Sequence, residues 1–288
     1  MQLKGIDISR YQGTPDFAKL KDQVDFIILQ AGFGKYAYQT DAQFERNYTE
    51  CKKYGIPVGA YWFSYATSAP EAIYEAVACA EVIKGKQFEY PIYYDIEGNA
   101  CSGNVSGKCR NFCEELEKRG YFAGIYISRS PAQAYLSADV CKDYALWLAE
   151  YGGTLNWSGV PAGMWQNSDN GRFDGISGGV DTDFCYVDYP KLIKSAGLNG
   201  FELPDEPTEE LDSRENAWYY FGMDKTTADM RGLYGVKQRM KAKGYAYLDD
   251  SGGFGAGTER AVNDLLAEWG YKQNGVIGKN FVSRVMRG

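Results

Sequence analysis

The 288-residue chain contains no histidine. That excludes Ser-His-Asp triads and the usual zinc hydrolases, and it leaves acid–base chemistry to Asp, Glu, Lys, Tyr or Cys. No apolar run is long enough to span a membrane, so no membrane insertion is expected. "MQLKGIDIS" enters a strand pattern at once, without a basic and then apolar leader, so no signal peptide is visible and synthesis in the cytoplasm with reduced thiols is expected. Cysteine is present in an odd number, seven, at Cys51, Cys79, Cys101, Cys109, Cys113, Cys141 and Cys185. A Cys-only metal site around Cys101, Cys109 and Cys113 is conceivable, but Cys109 and Cys113 sit at helical i, i+4 spacing, which favours ordinary packing. No metal, cofactor or nucleic-acid partner is expected.

Aromatic residues are plentiful at 15%, including 24 Tyr and 6 Trp, enough for a substantial core. Charge is unevenly distributed. Residues 202–215, "ELPDEPTEELDSRE", hold seven acids, two prolines and one arginine, and read as a linker. After it, residues 216–288 carry 11 Lys+Arg against 7 Asp+Glu, a net of +4, while residues 1–215 carry 20 against 31, a net of −11. The expected organisation is a body over 1–198, a linker over 199–215 and a small helical module over 216–288.

Strand-like runs recur at "KGIDIS" (4–9), "DFIILQAGF" (25–33), "PVGAYWFSY" (57–65), "YPIYYDIEG" (90–98), "YFAGIYIS" (121–128), "YALWLAEY" (144–151), "AGMWQN" (162–167) and "GVDTDFCYV" (179–187). The first five are each followed by a helical pattern. Capping boxes are expected at Thr40 with Gln43 and at Ser68 with Glu71, and stop signals at Gly55, Gly85 and Gly120. Alternating strands and helices predict a parallel sheet, and eight strands suffice to close a barrel. After about residue 144 the strands come too close together for full helices. The fold class is therefore α/β: a modified TIM-type barrel of five βα units plus three further strands, followed by a small all-α domain.

"YYDIEG" (93–98) ends the fourth strand with two acids one residue apart. Side chains two apart on a strand point the same way, so Asp95 and Glu97 project together into the mouth, where Gly98 lets the chain turn. The first strand adds Asp7, and the last adds Asp181 and Asp183 from "GVDTDF". Several carboxylates in one cleft cannot all ionise freely, and at least one has a raised pKa. Two carboxyls flanking a bond suit glycoside hydrolysis. An acidic cluster holding Mg²⁺ or Ca²⁺ and unrelated surface acids are the alternatives. Aromatic residues near the strand ends, Tyr61, Trp62, Tyr93, Tyr94, Trp147 and Trp165, suit sugar faces or core filling alike.

Five motifs, "GIDISRYQG", "YYDIEG", "LWLAEY", "MWQNS" and "GVDTDF", occur in the order and spacing of the glycoside hydrolase family 25 lysozymes, which residues 1–195 resemble. The resemblance implies an N-acetylmuramidase cutting the β-1,4 bond between N-acetylmuramic acid and N-acetylglucosamine in bacterial peptidoglycan. It implies Glu97 as general acid and Asp95 as stabiliser of an oxazolinium ion or, in the competing view, as nucleophile. Asp7 and Asp181 would position the sugar and tune the pair. Sugar-binding positions by the same carry-over are Tyr61, Trp62, Tyr93 and Tyr126, with Trp147, Trp165, Gln166 and Asp183. Two positions depart from the family pattern: Trp62 stands where a histidine is frequent, and Asp183 where Asn is usual. Residues 235–285 are similar to a helical peptidoglycan-binding domain through "GGFGAGTERAV" (252–262) and "NGVIG" (274–278), with Leu265 and Leu266 nearest the usual Phe-Gln of the middle helix. Self-association through that module is the other reading. A phage-type endolysin, released to the cell wall at lysis, fits this architecture. A chitinase-like hydrolase and a catalytically silent wall-binding protein are the remaining alternatives.

Overall fold

A computed structural model describes residues 2–202, 211–212, 230–250 and 254–287. The chain divides into two compact units, Met1–Lys194 with Leu198–Phe201, and Ser195–Gly197 with Glu202–Gly288. The first unit is a closed barrel in which eight strands follow one another in sequence order. They are β1 (Leu3–Ile8), β2 (Phe26–Phe33), β3 (Val58–Phe63), β4 (Ile92–Asp95), β5 (Ala123–Ser128), β6 (Ala145–Ala149), β7 (Met164–Gly171) and β8 (Val180–Cys185). The helices between them are α1 (Phe17–Leu20), α2 (Phe44–Lys53), α3 (Ala69–Ile83), α4 (Val105–Glu117), α5 (Arg129–Tyr135) and α6 (Ala138–Asp143), with α7 (Tyr189–Ser195) after β8. All eight expected strands are present.

The expectation of a parallel sheet holds for β1 to β7 and fails for β8, which runs antiparallel to both β7 and β1. The cause is connection length. A parallel return needs a crossover of about a dozen residues or more, and β7 ends at Gly171 while β8 begins at Val180. The first βα unit is also slighter than expected, because α1 is a single turn, and the fifth is split into α5 and α6.

Alternation along the strands sorts side chains between the barrel interior and the layer under the helices. Ile6, Ile8, Ile27, Leu29, Trp62, Tyr94 and Ile96 belong to the outer layer, where Tyr94 stacks on Phe112 with ring centroids 4.1 Å apart. The interior makes room for large rings by using glycine opposite them. A Cβ at Gly5 would lie 2.3 Å from the Phe26 ring, and one at Gly124 would lie 2.6 Å from that of Tyr93. All seven cysteines are free, and Cys51, Cys79, Cys109 and Cys113 are packed in the outer layer.

The capping boxes are corrected in detail. α2 begins at Phe44, and its entry is closed by Asp41, whose Oδ1 accepts from the Gln43 N–H at 2.9 Å. Thr40 instead donates its hydroxyl to the Ala37 carbonyl at 2.8 Å. Ser68 stands at the N-cap of α3 without a side-chain bond, while Glu71 accepts the N–H and hydroxyl of Thr67 at 2.7 and 2.8 Å. At α2 a carboxylate, the stronger acceptor, takes the Gln43 N–H expected to go to the Thr40 hydroxyl, and at α3 Glu71 reaches back to Thr67 while the Ser68 half of the box is not formed. Gly55, Gly85 and Gly120 have φ of 68°, 75° and 83°, as helix stops in the left-handed region require.

In the second unit, α8 (Met230–Ala242), α9 (Ala256–Glu268) and α10 (Lys279–Arg287) enclose a core that includes Leu233, Val236, Met240, Leu265, Leu266 and Phe281. Lys237 is buried there and pairs with Asp249 at 2.5 Å. Most of the expected linker, residues 203–210 and 213–215, lies outside the described residues, as do residues 252 and 253 at the start of "GGFGAGTERAV".

Leu198–Phe201 belong to the barrel unit, and Asn199 is the reason. It is fully buried with φ 54°, its Oδ1 accepts the Phe122 N–H at 2.7 Å, and its amide donates to the carbonyls of Phe88 and Tyr90 at 3.1 and 2.8 Å. Three buried backbone groups therefore depend on one side chain. Asn199→Ala leaves each without its partner, at roughly 1–3 kcal/mol apiece with partial relaxation, so denaturant unfolding of the barrel should show a loss of about 3–5 kcal/mol.

Candidate active site

Asp7 lies near the C-terminal end of β1 and faces Asp181 as its register partner on β8. Asp95 closes β4, and Glu97 follows on an extended backbone, φ −144° and ψ 179°. Ile96 between them is buried in the outer layer, so both acids face the mouth. Gly98 turns the chain away with φ 54°. The loop it opens is held from below by Lys108, whose buried ammonium donates to the carbonyls of Ser102 at 2.9 Å, of Ala100, and of Ala66 at 3.2 Å in the loop after β3.

Gln166 on β7 organises the remaining acids. Its Nε2 donates to Asp7 Oδ2 at 2.8 Å and to Asp181 Oδ2 at 3.4 Å. Its Oε1 accepts the hydroxyls of Tyr126 at 2.8 Å and Tyr151 at 3.2 Å. The amide is saturated, and four strands or loops are tied through it. Below this layer, Trp147 Nε1 donates to Asp183 Oδ1 at 2.8 Å.

Every acid of the mouth is pushed toward its neutral form. Burial is the first cause for Asp7, followed by the charges of Asp183 and Asp181. Burial and then the charge of Glu97 raise Asp95 well above the usual carboxylate range, and burial alone raises Glu97. Asp181, more open to solvent, is pushed up to about 6 by burial, Asp169 and Glu97. Asp183 is raised well above its ordinary value by burial, against the hydrogen bond from Trp147. Its Oδ2 is buried without a hydrogen-bond partner among the described residues, Asp7 acts on its side chain, and two carboxyls can hydrogen-bond only when one of them is protonated. Asp95 Oδ1 is likewise buried without a hydrogen-bond partner among the described residues. Tyr61, inside the mouth on β3, is raised by burial and by Asp7 and Asp95, which keeps its hydroxyl a proton donor.

The structure thus brings together Asp7, Asp95, Glu97, Asp181, Tyr61, Tyr126 and Gln166. Five expected sugar contacts lie elsewhere. Trp62 follows Tyr61 on the strand and so points to the outer layer, fully buried, its Nε1 donating to the Gly34 carbonyl at 2.7 Å. Trp165 faces outward by the same alternation, next to Gln166, and donates to the Glu150 carbonyl at 2.8 Å. Tyr93 and Trp147 fill the barrel interior with ring centroids 5.1 Å apart. Asp183 is fully buried one layer beneath Asp181. Tyr151 escaped the sequence reading: it is half exposed and caps Gln166, and the spacing Trp147, Ala149, Tyr151 carried the signal, since the alternation continues past the end of β6. Among the described residues no group of three His, Cys, Asp or Glu side chains is arranged to hold a metal ion.

Asp183 provides a test of this charge pattern. A carboxyl whose native pKa is raised loses stability as pH rises from its unfolded value, about 4, toward the native one. Asn in its place keeps the acceptor for Trp147 and supplies the donor for Asp7 without a charge. Asp183→Asn should therefore match the parent in thermal unfolding near pH 4 and exceed it at pH 7–8. A variant less stable than the parent at pH 7–8 would mean that Asp183 is ionised in the fold.

A sequence model of the Glycosyl hydrolases family 25 matches residues 6–176. The autolytic lysozyme of Clostridium acetobutylicum is 29% identical over 187 residues, 63% of this chain and 55% of that protein. Among solved structures, the CTP1L endolysin superposes with a TM-score of 0.61 at 28% identity, covering 67% of this chain and 70% of that one. The modular autolysin LytC from Streptococcus pneumoniae gives 0.58 at 26% identity, covering 64% of this chain and 47% of that one. This chain thus spans about half the length of the autolytic lysozyme and of LytC. With the barrel, its acidic mouth and a match over more than half of its residues, the chain belongs to glycosyl hydrolase family 25.

Proposed function

We propose that this protein is a muramidase that hydrolyses the β-1,4 bond between N-acetylmuramic acid and N-acetylglucosamine in bacterial peptidoglycan. The observation that carries the reading is the pairing of a raised, partly open Glu97 with a buried Asp95 whose Oδ1 has no donor. Glu97 has the pKa direction and the access of a general acid, and it protonates the leaving oxygen. The orphaned Asp95 Oδ1 suits an N–H from the substrate. An acetamido group two atoms from the anomeric carbon carries one, and its hydrogen bond favours the charged form of Asp95. That charge then holds the acetamido nitrogen while its carbonyl oxygen closes on the anomeric carbon, and it stabilises the oxazolinium ion. The same proton bookkeeping leaves the acid's proton on Glu97.

Asp7 and Asp181, fixed by Gln166, hold the sugar and set the charge around the pair. Tyr61 adds a hydroxyl donor within the mouth. The helical unit acts as a wall-binding module, a role its net charge of +4 suits against an anionic wall. The site of action is the bacterial cell wall, reached after release from the cell that makes the protein. Among the described residues no helix is long and apolar enough to cross a membrane.

The test is mass spectrometry of products from purified Gram-positive peptidoglycan, reduced with borohydride after digestion. Muropeptides ending in reduced muramic acid are expected, with Glu97→Gln slowed by about 10²–10⁴-fold. Reduced glucosamine ends would mean a glucosaminidase. Because Glu97 acts in its protonated form, the rate should fall as pH rises through its raised pKa, and an activity that climbs steadily from pH 5 to 9 would remove Glu97 from that role.

A further inference from the structure

Beside the acidic mouth lies a second cavity, of about 220 Å³, enclosed by the loops that follow β2 and β3 and by the start of α3. Its lining includes Gly34, Lys35, Tyr36, Tyr65, Thr67 and Glu71. It adjoins the mouth through the backbone: Phe63 is the register partner of Asp95, and the next residue, Ser64, donates its N–H to the Asp95 carbonyl at 2.9 Å. Tyr65, the residue after that, is a wall of the cavity.

Three features describe what would fit there. Tyr36 and Tyr65 are both exposed, so flat apolar surface is available on two sides. Lys35 is exposed, stands 5.8 Å over the Tyr36 ring, and pairs with no carboxylate among the described residues. Glu71 is held charged by the N–H and hydroxyl of Thr67 and, more weakly, by the Lys35 charge. A cation and an anion between aromatic walls match a ligand that carries both signs, not a neutral sugar ring. The volume is below the roughly 300–1,000 Å³ of sites that hold a whole small ligand. A branch of a larger molecule, whose main chain occupies the adjoining mouth, meets that limit.

We infer that this cavity is a subsite for the peptide branch of peptidoglycan, with Lys35 receiving a peptide carboxylate and Glu71 an amide N–H or amine, while the glycan lies across Asp95 and Glu97. The inference rests on the muramidase reading. In that substrate the peptide is the only substituent with ionised carboxylates, and it is attached to the sugar whose bond is cut. Lys35 is then a specificity residue, and the enzyme distinguishes peptide-bearing from bare glycan.

Two measurements test this. The first compares kcat/KM on glycan chains bearing peptides with that on the same chains stripped by an amidase. The parent is expected to favour the peptide-bearing chains by about tenfold, about 1.4 kcal/mol, with the difference in KM. Lys35→Glu should bring the ratio near unity and Lys35→Arg should keep it. The second titrates Glu97→Gln, calorimetrically, with the muramyl–glucosaminyl disaccharide carrying L-alanyl-D-glutamate and with the bare disaccharide, so it reads the cavity without catalysis. Tighter binding of the peptide form, lost in the Lys35→Glu background, supports the subsite even if the cleaved bond proves to be another. Equal kcat/KM on both chains, or equal affinity for both probes, overturns it while leaving the muramidase reading intact. Failure to cleave any peptidoglycan would overturn that reading instead, and the titration would still decide the subsite.

Discussion

Buried carboxylates repel one another, and desolvation penalises each charge before any repulsion is counted. Asp7, Asp95, Glu97 and Asp181 are gathered in one barrel mouth with Asp183 beneath them, and among the described residues no lysine or arginine is hydrogen-bonded to any of the five. The structure meets this constraint with neutral donors, the Gln166 amide and the Trp147 indole. A cation placed there would hold the carboxylates ionised. Amide and indole N–H groups fix geometry while leaving the pKa values high, which is the condition a carboxylic acid needs to donate a proton near neutral pH. The saturated amide of Gln166 matters most, since losing it frees Asp7, Asp181, Tyr126 and Tyr151 together.

The reversal of β8 decides the depth at which each acid sits. On the parallel strands a later residue stands nearer the mouth, so Glu97 lies above Asp95. On β8 the order is inverted. Asp181 pairs with Asp7 at the mouth, and Asp183 pairs with Gly5 two residues deeper, beneath solvent reach. The extra carboxyl relative to the family's usual Asn is thereby placed where burial favours its neutral form, and a protonated carboxyl and an amide offer the same donor and acceptor. This explains how the chain tolerates that substitution.

Much of the architecture was legible. Eight strands, the order of the motifs and the convergence of Asp7, Asp95, Glu97 and Asp181 follow from period-two alternation and βα spacing, both local properties. What stayed hidden depends on which face a side chain takes and on the hand of the last strand. Trp62 and Trp165 are each one residue from an inward position, Tyr61 and Gln166, and a one-residue shift turns a cleft ring into an outer-layer ring. Helix entries misled for another reason. Thr40 and Ser68 match the capping pattern, but the charged Asp41 takes the N–H expected to go to Thr40, and Glu71 reaches back to Thr67 while Ser68 makes no cap bond. Asn199 gave no sequence signal at all, since its three partners come from residues 88, 90 and 122.

The loops after β3 and β4 are coupled in a way that bears on both the mouth and the cavity beside it. Lys108 joins Ala66 to Ala100 and Ser102, Ser64 joins the Asp95 carbonyl to Glu75, and Glu75 in turn accepts from Tyr94 and from the Tyr65 N–H. The backbone that presents Asp95 and Glu97 and the wall that contains Tyr65 are thus parts of one hydrogen-bonded frame built on the buried Ser64, Glu75 and Lys108. A ligand group resting on Tyr65 is positioned against the same rigid element that holds the acids. Registration between the two depends on that frame rather than on the flexible side chains at its surface, which is how a branch seated in one place can set the position of a bond in the other.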